Sequence, residues 1–251
     1  MSTADPRSVL LIGGSSEIAL AIATRLVADG PIHPYLLGRD PARLQAAAEA
    51  LRRAGCATSD LDLVDAGDLA AHGPAIARAF ERRGGFDIVV VAVGVLGAQE
   101  ALDADPKLAT EVMQINFTGA GSLLLHCLRR LRDQGRGTMI VLSTVSAERP
   151  RAANAIYAAA KAGFDALAQG LADAGAGSGA RVLVVRPGFV KTRMTEGLRP
   201  APFATTADVV ADATARALTG SAHTIWVPGY LRFIFAILRH MPRRLWRRMP
   251  L

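Results

Sequence analysis

With 251 residues, 51% of them hydrophobic, and 24 glycines, the chain is long enough to bury one sizeable core and has the make-up of a single globular α/β domain. Two cysteines far apart in sequence, Cys56 and Cys127, with no C-x-x-C and no histidine at ligand spacing, indicate neither a disulfide framework nor a metal site. The formal charge of +7 is concentrated: from residue 213 onward there are seven arginines and no Asp or Glu, which accounts for the whole surplus and argues against a diffuse nucleic-acid-binding surface on the neutral body.

The opening "MSTADPRS" carries no long apolar stretch, and the apolar run after it ends in a turn rather than a cleavage pattern, so a cytoplasmic protein is expected. Short β-rich runs at 9–12, 34–37, 58–61, 87–92, 138–143, 182–186 and 224–227 alternate with stretches of helical period at 18–28, 41–54, 68–82, 108–131 and 155–174. About seven strands joined by helical crossovers predict a doubly wound parallel sheet of Rossmann type with helices on both faces. The division is a body, 1–230, and a basic tail, 231–251. In such sheets ligands sit beyond the carboxyl ends of the strands, so the residues just after each run are the ones to inspect.

After the first strand stands "GGSSEIA", 13–19. A strand, a glycine turn and a helix start present backbone N–H groups and a positive dipole end to a pyrophosphate, which singles out Gly13, Gly14, Ser15, Ser16 and Ile18. Glu17 suits the helix dipole but repels phosphate, so it is expected to point away. The second strand ends in Gly38-Arg39; an arginine there pairs with a 2′-phosphate and favours NADP(H) over NAD(H), while Asp40 caps the next helix. Asp62 and Leu63 follow the third strand, where adenine would lie.

The most informative stretch is "IYAAAKAGFDAL". Tyr157 and Lys161, four residues apart in an Ala-rich helix, share one face. An ammonium beside a phenol stabilises its phenolate and draws its pKa toward the working range. Upstream, "VLSTVSA" ends the fifth strand and puts the Ser143 and Thr144 hydroxyls at the sheet's carboxyl edge, where either can hold a substrate carbonyl.

These residues, in this order, resemble the short-chain dehydrogenase/reductase family from residue 9 to about 195: glycine turn, Asp62, "AVG" at 92–94, "IN" at 115–116, a Ser/Thr-ended strand, Tyr-x-x-x-Lys and "RPGFVKT" at 186–192. The resemblance implies an NAD(P)-dependent ketoreductase. Tyr157 would be its catalytic acid/base, Lys161 its electrostatic partner and ribose ligand, and Asn116 part of a proton relay. Ala92 and Gly94 would face the cofactor, and Pro187, Gly188, Val190 and Thr192 its nicotinamide end. The chain departs from the family pattern at Glu17 and Ala19, where glycines are usual, at Ala92, where asparagine is usual, and at Thr144, which takes the place of the serine with Ser143 before it.

A closer likeness covers nearly the whole chain. "LIGGSSEIALAI", "VVVAVGVLG", "INFTGA", "AERPRAANAIYAAAKAG", "VLVVRPGFVKTRM" and "LRHMPRRLWRRMPL" are similar to the actinobacterial decaprenylphosphoryl-2-keto-ribose reductases. That implies reduction of a polyprenyl-phosphate-linked 2-keto pentose to the arabinose form, with a flavoprotein oxidase as partner, for cell-wall arabinan. A 3-oxoacyl carrier substrate is the alternative within the family. A non-enzymatic dinucleotide-binding regulator is the alternative outside it, and the intact Tyr157/Lys161 pair speaks against that.

In the tail, Leu231, Ile234, Phe235, Leu238 and Met241 recur at helical spacing with arginines between them. The pattern fits a helix lying on a membrane surface, apolar side down, and equally a helix in the subunit interface of a homo-oligomer. It is too short to span a bilayer, which takes about 20 apolar residues. Arg149 and Arg151, between the hydroxyls and Tyr157, stand at the expected mouth of the site.

Overall fold

The computed structural model describes residues 5–56 and 59–248. Its centre is a seven-stranded, all-parallel sheet in the order β3-β2-β1-β4-β5-β6-β9, built from β1 (Arg7–Ile12), β2 (Ile32–Gly38), β3 (Asp60–Leu63), β4 (Ile88–Val91), β5 (Gly137–Leu142), β6 (Ala180–Pro187) and β9 (Thr224–Val227). The crossover helices are α1 (Glu17–Ala28), α2 (Pro41–Arg53), α3 (Leu69–Arg83), α6 (Ala120–Gln134), α7 (Ala155–Ala174) and α8 (Ala207–Leu218). All four residues of β4 are buried, because a central parallel strand covered on both faces has no polar side.

The strand period divides the core. Leu10, Ile12, Val89, Val91, Met139 and Val141 pack on one face beneath α3, α6 and α7; Val9, Leu11, Ile88, Val90 and Ile140 pack on the other beneath α1 and α2. Parallel pairing sets β1 between β2 and β4, Leu10 opposite both Tyr35 and Val89. The chain therefore reverses its winding direction at β1, and the carboxyl ends of β1 and β4 splay apart there.

The expected α/β architecture is the observed one, with four local differences. The third strand runs from Asp60 to Leu63, so Asp62 and Leu63, expected after it, are its last two residues, and the expected start at residue 58 lies outside the described residues. The helix expected over 108–131 is two helices, α5 (Pro106–Met113) and α6, joined by a π-helical turn at Gln114–Gly119. The cause is a side chain: Asn116, fully buried, donates through Nδ2 to Val95 O (2.7 Å) and Val112 O (2.9 Å) and accepts from Val95 N (3.0 Å). A short α4 (Gln99–Ala104), α8 and a two-residue pair, β7 (Val190–Lys191) with β8 (Thr205–Thr206), complete the body. The tail forms two pieces, α9 (Leu231–Leu238) and α10 (Arg243–Trp246), broken at Pro242.

The stripe read in the tail as the side of an interfacial helix is used inside the molecule. Leu231 and Phe235 are buried with Val145, flanked by Ile234 and Trp226. The tail is thus folded onto the carboxyl edge of the sheet.

The close approach of Gly119 to the loop after β3 makes it the least replaceable glycine near the π-helical turn: a Cβ there would lie 2.0 Å from Ala66 O. Gly119→Ala should cost about 3 kcal/mol or more in urea unfolding, because backbone must move. Gly170→Ala, in the exposed part of α7 where a Cβ meets nothing within 4 Å, should gain about 0.5–1 kcal/mol.

Candidate active site

The glycine turn is shaped by its neighbours. Gly13 N and Gly14 N both donate to Leu37 O, at 2.9 and 2.8 Å. A Cβ on Gly13, which has φ +79°, would lie 2.8 Å from Ala92 O, and one on Gly14 would lie 2.7 Å from Leu36 Cβ. Both glycines are therefore required for the turn to sit between β2 and β4. Among the described residues nothing accepts the N–H of Ser15, Glu17 or Ile18. Three open donors at a helix start fit a pyrophosphate. Ser16 caps α1, its Oγ accepting from Ala19 N at 3.4 Å. Glu17 turns toward the segment after β7, where its Oε2 accepts from Arg193 N at 2.7 Å, while Arg193 Nη2 donates to Ser15 O at 2.8 Å.

At the other end of the cofactor path, Arg39 is exposed with no carboxylate within reach among the described residues, while Asp40 caps α2 and pairs with Arg43. Arg39 is thus available to a 2′-phosphate. Asp62 accepts from Leu63 N at 2.8 Å and pairs with Arg78 at 3.0 Å, and the Leu63 side chain is exposed.

The centre is built around Lys161. Its Nζ donates to Val93 O (3.1 Å) and Leu142 O (3.2 Å), which ties α7 to the ends of β4 and β5 and leaves one ammonium proton uncommitted. A Cβ on Gly94 would lie 3.0 Å from Asn116 Oδ1 and 3.5 Å from Lys161 Nζ, so the 92–94 turn, Asn116 and Lys161 meet in one place. Burial drives the Lys161 ammonium down to about 8, opposed in part by Asp165. Burial also pushes the Tyr157 phenol up to about 12. The pKa depression expected from Lys161 does not occur in the protein by itself: removal from water is what moves the phenol, and it moves it upward. Tyr157 therefore stands protonated at neutral pH, the state a proton donor to an alkoxide needs.

The two candidate hydroxyls separate. Ser143 donates its proton to Asp165 Oδ2 at 2.5 Å, inside a buried cluster. Thr144 caps the turn Val145–Ala147 by accepting from Ser146 N at 3.2 Å, which uses a lone pair and leaves its proton free. Of the pair, Thr144 is the one able to donate to a carbonyl.

The "RPGFVKT" segment lines the far wall. Pro187 ends β6, and Gly188 donates to Val227 O at 2.9 Å and is pressed by Leu231 of α9, whose Cδ1 a Cβ would meet at 2.9 Å. Val190 is buried and Thr192 caps a short turn at Arg193–Thr195. Sequence reasoning passed over Asp165, Arg186, Glu148 and Trp226, which form a bonded cluster behind the site, and the docking of the tail on the mouth. Trp246 Nε1 donates to Pro150 O at 3.1 Å, Arg149 lies 5.1 Å over the Trp246 ring, and Arg149 Nη2 donates to Met241 O at 2.9 Å. The only sequence signals were the i, i+4 spacing of Lys161 and Asp165 and the two tryptophans in an otherwise aromatic-poor chain.

Residues 7–202 match the family model described as short chain dehydrogenase. The chain belongs to that family. An uncharacterized oxidoreductase of Mycobacterium tuberculosis is 43% identical to it over 96% of both chains. A 3-oxoacyl-[acyl-carrier-protein] reductase, MabA, of Mycobacterium avium is 30% identical over 76% of this chain and 70% of its own. The solved structure of an actinorhodin polyketide ketoreductase with NADPH superposes with a TM-score of 0.79, at 23% identity, over 92% of this chain and 99% of the other. The protein is thus an NAD(P)-dependent oxidoreductase of the short-chain dehydrogenase type.

Two outcomes follow for this short-chain dehydrogenase. Thr144→Ala should lower kcat by about 100-fold or more, since a hydrogen bond to the developing oxyanion is lost. Ser143→Ala should keep kcat within about tenfold and lower stability by about 1–3 kcal/mol, since it leaves Asp165 short of a donor.

Steady-state rates across pH test Lys161. Its ammonium is present below about 8, so kcat/KM for ketone reduction should fall as pH rises through that value. Stability moves the other way. Because the folded-state pKa is depressed from 10.5, the unfolded chain binds more protons between about 8 and 10.5. The stability tied to this group, on the order of 3 kcal/mol, is present above 10.5 and lost as pH falls to about 8.

Proposed function

We propose that the protein reduces the 2-keto group of a polyprenyl-phosphate-linked pentose, converting a decaprenylphosphoryl-2-keto-ribose type of substrate to the arabinose form. A bound reduced nicotinamide supplies the hydride, and Arg39, exposed and unpaired, favours NADPH as its carrier. Thr144 donates a hydrogen bond to the keto oxygen, Tyr157 gives its proton to the developing alkoxide, and Lys161 steadies the phenolate left behind. Asn116, with both amide groups bonded to backbone, holds the π-helical turn against Gly94 and keeps the relay end of the site in place.

The observation that carries the substrate class is the rim of the site. The exposed large apolar residues Met194, Leu198 and Phe203 on one side and Tyr230, Phe233, Ile237 and Leu245 on the other belong to two segments that meet edge-on through Phe203 and Tyr230, with ring centroids 5.2 Å apart. Phe233 and Ile237 are each 70% exposed and one helical turn apart, with Arg232 and Arg239 flanking them in sequence and no acid from residue 213 onward. An apolar rim set in positive charge suits a chain-bearing phosphate and the anionic surface that holds it. At the mouth, Arg149 and Arg151 have buried Nε atoms with no partner, and burial disfavours the Arg151 charge, which an anionic ligand would relieve. The tail would hold the protein peripherally on the inner membrane face, where a flavoprotein oxidase that makes the 2-keto sugar supplies the substrate. A second reading, reduction of a 3-oxoacyl carrier substrate, has the likeness to the Mycobacterium avium 3-oxoacyl reductase in its favour.

The deciding assay follows oxidation of NADPH and of NADH with the lipid-linked 2-keto pentose and with soluble 3-oxoacyl substrates. Turnover of the lipid-linked sugar, faster with NADPH, is expected, together with salt-sensitive sedimentation on anionic liposomes that Phe233→Ser/Ile237→Ser weakens at least about tenfold. Turnover of the 3-oxoacyl substrates alone would replace this reading by the second.

A further inference from the structure

One turn beyond Lys161 on α7 lies a buried charge cluster that the reaction steps above do not use. Asp165 accepts four hydrogen bonds. Its Oδ2 receives the Ser143 hydroxyl at 2.5 Å and Arg186 Nε at 2.9 Å; its Oδ1 receives Arg186 Nη2 at 2.6 Å and Gln169 Nε2 at 2.5 Å. Arg186 also lies 3.4 Å from Glu148 Oε1 and 5.0 Å over the Trp226 ring, and Trp226 Nε1 donates to Glu148 Oε1 at 2.5 Å. Every element that forms the back wall of the site is represented: the end of β5, the segment after it, α7, the end of β6 just before Pro187-Gly188, and β9.

We propose that Asp165 is a positioning residue of this oxidoreductase: clamped by Arg186 and Ser143, it fixes the turn of α7 that carries Lys161 and holds a negative charge beside the Lys161 ammonium. Stability alone does not call for the cluster, because a buried ion pair is often no better than apolar residues of the same volume. What the cluster does provide is direction, since four donors fill the four lone-pair positions of one carboxylate and permit one placement of the helix.

It also provides charge. The two carboxylates and one guanidinium of Asp165, Glu148 and Arg186 sum to one negative charge, which the Lys161 ammonium balances. Lys161 itself is bonded only to the neutral carbonyls of Val93 and Leu142 and lies 5.1 Å from the Phe164 ring. Asp165 is the one charged group that offsets the effect of burial on it. Tyr157 is neutral, and Asp103, Lys107 and Glu111, on the helices packed against α7, are exposed and screened by solvent.

The chain has three lysines, Lys107, Lys161 and Lys191, and the other two are exposed. Selective carbon-13 labelling of lysine therefore gives three ε-resonances in the intact protein, which Lys107→Arg and Lys191→Arg assign, and the Lys161 midpoint is expected at about 8. In Asp165→Asn its midpoint should move down by at least about half a pH unit, with Lys107 and Lys191 unmoved. Gln169→Ala, which removes a neutral donor, should leave the midpoint in place. An unchanged Lys161 midpoint in folded Asp165→Asn overturns the proposal and leaves Asp165 a packing residue. If Asp165→Asn does not fold, Asp165→Glu carries the test: the longer carboxylate cannot keep all four bonds, so the Lys161 resonance must shift, and an unaltered resonance and midpoint overturn the proposal. No substrate enters the measurement, so its outcome is separate from that of the substrate reading.

Discussion

The position of β1 between β2 and β4 is the constraint on which the site depends. Because all seven strands of the main sheet are parallel, every carboxyl end opens on the same edge, and the reversal of winding at β1 leaves a crevice there that no crossover covers. The glycine turn occupies the near side of that crevice under strict spacing: Gly13 against Ala92 O and Gly14 against Leu36. With the turn pinned, the open N–H groups of Ser15, Glu17 and Ile18 gather at the start of α1, and the hydroxyl and lysine chemistry of β5 and α7 comes to the other side of the same opening. Open N–H donors and proton-carrying side chains are thus adjacent for reasons of topology before any residue is chosen for chemistry.

Within that edge, burial sets the two proton carriers apart. Taking a phenol and an ammonium out of water penalises the charged form of each, so Tyr157 rises to about 12 and Lys161 falls to about 8. The tyrosine is consequently a resting acid, and the lysine is charged by a narrow margin at neutral pH. A pair so placed works in the direction of reduction, where a proton must be given to an alkoxide, and it does so at the expense of stability. The carbonyls of Val93 and Leu142, which any sequence would supply at those positions, do most of the holding; the side-chain network behind them orients the helix.

Much of the architecture was legible because central parallel strands buried on both faces read as unbroken apolar runs, as in "SVLLI" and "DIVVV". The parts that were not legible have causes remote in sequence. The interruption between α5 and α6 comes from Asn116 bonding to Val95, 21 residues away, and a helical period alone carries no trace of it. The family pattern put Thr144 in the place of its serine and left Ser143 beside it as an equal candidate; what distinguishes the two is Asp165, which reaches Ser143 from another element. Likewise the tail's amphipathic stripe was plain in the sequence, while its occupant was not, because Val145 and Trp226 meet Leu231 and Phe235 only in the fold.

That occupancy sharpens the meaning of what remains outside. A helix that packs on a body needs one apolar face, and in α9 Leu231 and Phe235 supply it. Phe233 and Ile237 lie off that face, so the core gives no account of two large apolar side chains standing in water a turn apart. The same piece of chain carries Arg232 and Arg239 and then docks Trp246 on the loop that leads to Tyr157. A surface that is apolar and cationic at once, and joined through Trp246 to the loop that leads to Tyr157, is the feature from which the proposal of an apolar, anionic substrate is argued.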